Sequence, residues 1–181
     1  MSGIATSLTL GIPHELVPVM RRAFADEDDD TLLSVDQTRP YYLYGGSRNN
    51  HMESCIQEVL ERFPHFGIGY LCKHHVALEG KELAQAIVDS RSFLAFLYSE
   101  SDFCAEHFNK HLFTCTGKDI RDEIERLPAS IEAVIADFKA SDKDADNHQS
   151  LLRFLNAHAA VLEDAQANGL AAMYCIWLYG A

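Results

Sequence analysis

Six consecutive residues, Phe93-Leu94-Ala95-Phe96-Leu97-Tyr98, carry no charged side chain, and no other feature constrains the fold more. An uninterrupted apolar run of this length is what a strand buried on both faces requires. It predicts a strand at or near the centre of a sheet. Strand-like and helix-like patterns alternate around it. Ile4 to Leu10, Thr31 to Val35, Tyr41 to Tyr44, Phe66 to Cys72 and Ala171 to Tyr179 read as strands. Met52, Cys55, Ile56, Val59, Leu60 and Phe63 recur at helical spacing, the strongest helix signal in the chain, with Asn50 as cap, Glu53 three residues on and Pro64 as the stop.

Further helical stripes follow. Leu16, Val17, Met20 and Phe24 lie behind Pro13, with Pro18 disturbing the pattern. Leu83, Ala84, Ile87 and Val88 mark another helix, and one is expected from about Asp102 to Phe113, broken by Gly117. Ile120, Ile124 and Leu127 form a stripe before Pro128, and Ile131, Val134, Ile135 and Phe138 form the next. Leu151, Leu152, Leu155, Ala159 and Leu162 mark the last long helix, ended by Asn168-Gly169. The pattern predicts one α/β (or α+β) domain over residues 1–181. Its small mixed sheet packs with several helices, and those between Ile120 and Asn168 form a C-terminal cap.

The 181 residues suffice to bury a core without disulfides or metal. No apolar run approaches the roughly 20 residues that span a bilayer, and Arg21 and Arg22 follow the first apolar stretch rather than precede it, so no signal peptide is read. Cys55, Cys72, Cys104, Cys115 and Cys175 are odd in number and widely spaced, as expected of reduced thiols in a cytoplasmic protein. The formal charge of -12 disfavours nucleic acid and anionic membrane and favours fast association with a basic partner.

Four constellations bear on chemistry. In Gly45-Gly46-Ser47-Arg48, backbone N–H groups ahead of a helix and the Arg48 guanidinium suit an anion, although the glycines equally suit a tight turn. Cys104, His107 and His111 share one helix face, and Cys72, His74 and His75 have the chemistry to complete a tetrahedral zinc site. The plainer reading is a packed, hydrogen-bonded face, so no metal or other cofactor is expected. No Gly-flanked cysteine or nucleophile elbow is present, so no catalytic residue is assigned. Finally, Asp26 to Asp36 holds six acids and no base, and Asp119 to Asp146 holds nine acids and four bases. These stretches are either solvated faces or a docking surface for a basic protein, drawn from Asp28, Asp29 and Asp30 or from Asp142, Asp144 and Asp146.

The segment from Tyr44 to Cys55 resembles a motif of bacterial polymorphic-toxin immunity proteins, those paired with restriction-endonuclease-type toxins. Tyr44, Gly46, Arg48, Glu53 and Cys55 match without a gap, and Gly45 departs where the family has an aromatic residue. The resemblance covers about a dozen residues. It implies a non-enzymatic antitoxin of the bacterial cytoplasm that binds and neutralises a cognate toxin, such as a basic nuclease effector, the motif residues themselves being structural. A second stretch, Ala86 to Cys104, is similar in rhythm to TIR domains, some of which cleave NAD, with Glu106 one position from the family's acid. A TIR-like or anion-binding enzyme using the glycine turn is therefore the alternative, and a zinc-supported protein the third.

Overall fold

The computed structural model describes residues 4–35, 43–45, 49–110, 114–140 and 147–179. Its centre is a four-stranded sheet: β1 (Ile4–Ile12), β2 (Leu43–Gly45), β3 (His75–Leu78) and β4 (Ala171–Tyr179), in the order β2-β1-β4-β3 with every pairing antiparallel. The expected small sheet and several helices are thus present, on the α+β side of the prediction, although among the described residues the sheet is antiparallel throughout rather than mixed. β1 and β4 run the length of one another, from Ile4 opposite Tyr179 to Ile12 opposite Ala171.

Alternation along the strands sends side chains into two layers. Leu10, Ile12, Ala77, Ala171, Met173 and Cys175 pack beneath α1 (Val17–Ala25) and α2 (Asp29–Leu33), against Val17, Met20, Ala23, Leu32 and Val35. Pro18 sits in the first turn of α1, where its missing N–H costs nothing. The opposite face is covered by α8 (His148–Ala167), capped by Asn147, whose side chain accepts from Ser150 N at 2.8 Å. Ala157, Ala159, Ala160 and Ala165 are small enough to let α8 lie close against the sheet and its neighbours, and it is buried over most of its length. Outside α8 lie α3 (Asn49–Arg62), α4 (Gly80–Ser99), α5 (Ser101–Asn109), α6 (Gly117–Arg126) and α7 (Ile131–Ala140), which close the largest core.

Three expected strands are helical. Phe93–Tyr98 is the last third of α4, not a central strand. Phe93, Leu94 and Leu97 are buried and Phe96 packs on Phe63 and Phe66, while the run stays apolar at Ala95 and Tyr98 although both are exposed. Thr31 to Val35 belongs mostly to α2, because Asp28 caps that helix by accepting from Thr31 N (3.1 Å) and Thr31 Oγ1 (2.5 Å). Phe66 to Cys72 ends in a 3-10 turn, Ile68–Cys72, which tucks Ile68 and Leu71 into the core.

Boundaries shift elsewhere. Asn50 is inside α3 rather than at its cap, and the helix expected to reach Phe113 ends at Asn109. Gly117 opens α6 instead of breaking a helix. Thr116 and Asp119 form a reciprocal capping box there, with Thr116 N donating to Asp119 Oδ2 at 2.7 Å. A Cβ on Gly117 would stand 2.8 Å from the Asp102 backbone nitrogen, so the start of α5 leaves room only for glycine. Gly117→Ala is expected to cost about 1–3 kcal/mol in urea denaturation, because backbone has to move; no loss of stability would show that α5 and α6 separate freely.

Candidate functional site

The groups whose chemistry the fold changes most are walled into the core. His158 is fully buried, shares a 3.0 Å hydrogen bond with Thr9 Oγ1, and lies among the rings of Tyr70, Phe154 and Tyr174. Burial pulls its imidazole down to about 3, so it is neutral at ordinary pH. Burial likewise pushes the thiols of Cys55 and Cys175 up, Cys104 to about 12 and Cys115 to about 11, with nearby carboxylates adding to the shift. All five cysteines are free thiols. These four, held as neutral thiols, are poor nucleophiles.

The residues of the alternative zinc reading that lie among the described residues do not converge. Cys104 lies in the main core, while one turn on His107 donates from Nδ1 to Phe103 O at 3.0 Å, and its Nε2 is 3.8 Å from Glu58 Oε1. His75 stacks on Phe24 at 5.4 Å in the α1 layer, across the sheet from Cys104. His74 lies beside His75, and Cys72 ends the 3-10 turn. His111 is outside the described residues. Among the described residues no three His, Cys, Asp or Glu side chains gather to hold a metal ion.

The acidic candidates divide. Asp28 is a helix cap, its carboxyl held below the usual range by its bonds to Thr31, and Asp29 and Asp30 occupy the first turn of α2, favourably placed on the helix dipole. The α2 acids thus have a structural role beside any docking role. Asp142, Asp144 and Asp146 lie outside the described residues, as do Gly46 and Arg48 of the immunity-like motif. Tyr44 is in β2, Glu53 in α3, and Cys55 is buried on the α3 face turned to the core. The motif's strand and helix are both present. The TIR-like rhythm is not: its buried strand is helix, and Glu106 is exposed on α5.

Among the described residues, two of the concave surfaces are large enough to bear on binding. One groove, of about 500 Å³, runs between α4 and α6. Its apolar lining is Leu94, Ala95, Ile124, Leu127, Pro128 and Ala129, with Tyr98 at its border. Tyr98 is 39% exposed, and its hydroxyl donates to Glu125 Oε1 at 2.6 Å; that carboxylate, by hydrogen bond and then by charge, holds the phenol above its ordinary value. Val88, 56% exposed, stands on the same α4 face. Arg91 grips both oxygens of Glu163 (2.6 and 2.7 Å) and donates to Asn156 Oδ1 at 2.9 Å, while Asn156 Nδ2 donates to Pro128 O at 3.1 Å. This network fixes the groove's floor. Sequence reasoning missed it, because Val88, Arg91, Ala95 and Tyr98 fall on one face only if the apolar run is a helix.

The other surface is a cleft of about 710 Å³ at the open edge of β3, where α1, the Ile68–Cys72 turn and the start of α4 meet. Arg21 reaches across it, donating to Ala77 O at 3.2 Å and Glu82 Oε2 at 2.9 Å. Tyr70 closes its inner end, its hydroxyl 2.5 Å from Ser90 Oγ. Asp89 accepts from Gln85 Nε2 at 2.9 Å, and a Cβ on Gly67 would meet its carboxyl. Among the described residues no helix is long and apolar enough to cross a membrane. No family model, curated protein or solved structure matches this chain.

Proposed function

We propose that this protein binds and neutralises a protein partner with a basic surface, as the immunity proteins it resembles in Tyr44 to Cys55 do. The α4–α6 groove is the observation that carries the reading. It joins an apolar floor, one aromatic side chain held in place by Glu125, and carboxylates on both sides, Glu125 and Asp122 by Tyr98 and Glu163 by Arg91. Apolar floor, aromatic anchor and polar rim are the anatomy of a protein interface. The acids would meet a basic rim on the partner, and the charge of -12 would steer its approach. The burial of His158 and of the high-pKa thiols, which keeps these groups neutral and away from the surface, supports binding over catalysis.

The test uses the protein encoded by the neighbouring gene, or its C-terminal domain, as probe in surface-binding kinetics. A complex is expected whose association slows with added salt. Tyr98→Ala should weaken it by about 2 kcal/mol, mainly through faster dissociation. No complex would overturn the neutralising role, and a complex indifferent to Tyr98→Ala would overturn the groove as its site.

A further inference from the structure

The cleft at the β3 edge has a charge character opposite to that of the whole chain. Lys and Arg total 15 against 27 acids, yet Arg21 on α1, Lys73 in the bend before β3 and Lys81 on α4 line this one cavity. Of its two acids, Glu82 is paired with Arg21, and Asp89, which accepts from the neutral Gln85 amide, is outnumbered by Lys73 and Lys81. Lys110 and Lys118 pair with Glu58 and Asp122, whereas Lys73 and Lys81 make no ion pair among the described residues. Leaving two lysines unpaired beside one cavity, in a chain with so many carboxylates to spare, keeps positive potential there for a ligand. The wall opposite α4 carries two rings, one of them an imidazole. Phe24 and His75 stack with ring centroids 5.4 Å apart and planes 19° from parallel. The volume falls within the roughly 300–1,000 Å³ of small-molecule sites and exceeds what a bare inorganic ion fills.

We propose that this cleft binds a small organic anion, a phosphate or carboxylate carried on a flat ring, with Lys73 and Lys81 holding the anionic group and the Phe24–His75 wall packing against the ring. Arg21 is a positioning residue: by bonding Ala77 O and Glu82 it covers the strand edge and keeps Glu82 from neutralising the lysines. The site is separate from the α4–α6 groove and does not depend on what that groove binds.

Phenyl phosphate, benzoate, inorganic phosphate and neutral phenol are titrated into the full-length protein, read by amide chemical shifts and calorimetry. One saturable site is expected for phenyl phosphate or benzoate or both, with shifts at Phe24, Lys73 and Lys81 and weaker binding of inorganic phosphate. The Lys73→Ala/Lys81→Ala variant should weaken that binding about tenfold or more, since charge-assisted contacts to the anion are lost. Both lysines are exposed, so the variant should keep the parent's far-ultraviolet circular dichroism. Phe24→Leu should weaken the aryl anions while leaving inorganic phosphate unchanged. Absence of saturable binding by both aryl anions overturns the proposal, as does binding undiminished in the double-lysine variant or equalled by phenol.

Discussion

Lowering the pH from 7 to 4 should destabilise the fold by roughly 3 kcal/mol through His158 alone. In the fold its imidazole is held near 3 by burial, against roughly 6.5 for an unfolded histidine. The fold therefore prefers the neutral ring. That preference contributes fully above pH 6.5 and is lost as the pH falls toward 3, because the unfolded chain takes up the proton that the folded chain refuses. Among the described residues no carboxylate lies against the ring to offset the charge; the ring packs among Tyr70, Phe154, Tyr174 and the Thr9 hydroxyl. His75 and His148, also lowered by burial, act in the same direction, and Asp28 and Asp119, lowered by hydrogen bonds, add losses at still lower pH. His158→Gln isolates the effect, since an amide keeps a partner for Thr9 and does not titrate. Urea midpoints measured from pH 7 to 4 should fall more steeply for the parent than for the variant. Equal slopes would mean that protons reach His158 in the folded state.

The second large effect is expected at Phe93. Truncation to alanine should cost about 3–5 kcal/mol, the range for emptying an aromatic site in a packed core. Phe93 is 1% exposed on α4, edge-on to Phe66 at 5.6 Å and stacked with Phe96 at 6.3 Å. Phe63, directly after α3, and Phe103 on α5 extend the cluster. The cavity would thus open where three elements meet, with little freedom to collapse. A loss below about 1 kcal/mol in chemical denaturation would show that the cluster can close the gap.

Legibility in the sequence followed periodicity. β1, β4, α3, α7 and α8 were readable because their apolar residues repeat at 2 or 3.6 or are bounded by turn residues. Phe93–Tyr98 was not, because the run stays apolar at the exposed Ala95 and Tyr98 and so shows no period. The available signal was negative: no glycine or proline occurs between Lys81 and Thr116, so nothing could turn a helix at Val88 into a strand at Phe93. Asp28 and Thr116 show the same bias, since a cap defines a helix by one hydrogen bond that an apolar count ignores. Neither concave surface was legible. Arg21 and Ala77, or Tyr98 and Glu125, are brought together only by the tertiary path of the chain.

The pairing of β1 with β4 has a consequence for the order of folding. The two central strands are the described elements furthest apart along the chain, while most helices pack against near neighbours in sequence. Closing so long a loop is entropically unfavourable and slow, so the helical layer can assemble well before the sheet. Until residue 171 and those after it have been synthesised, β1 has an unfilled edge and its apolar Leu10 and Ile12 have no roof on that side. The nascent chain is then most exposed to association with other strands at β1, and the synthesis of β4 ends that exposure.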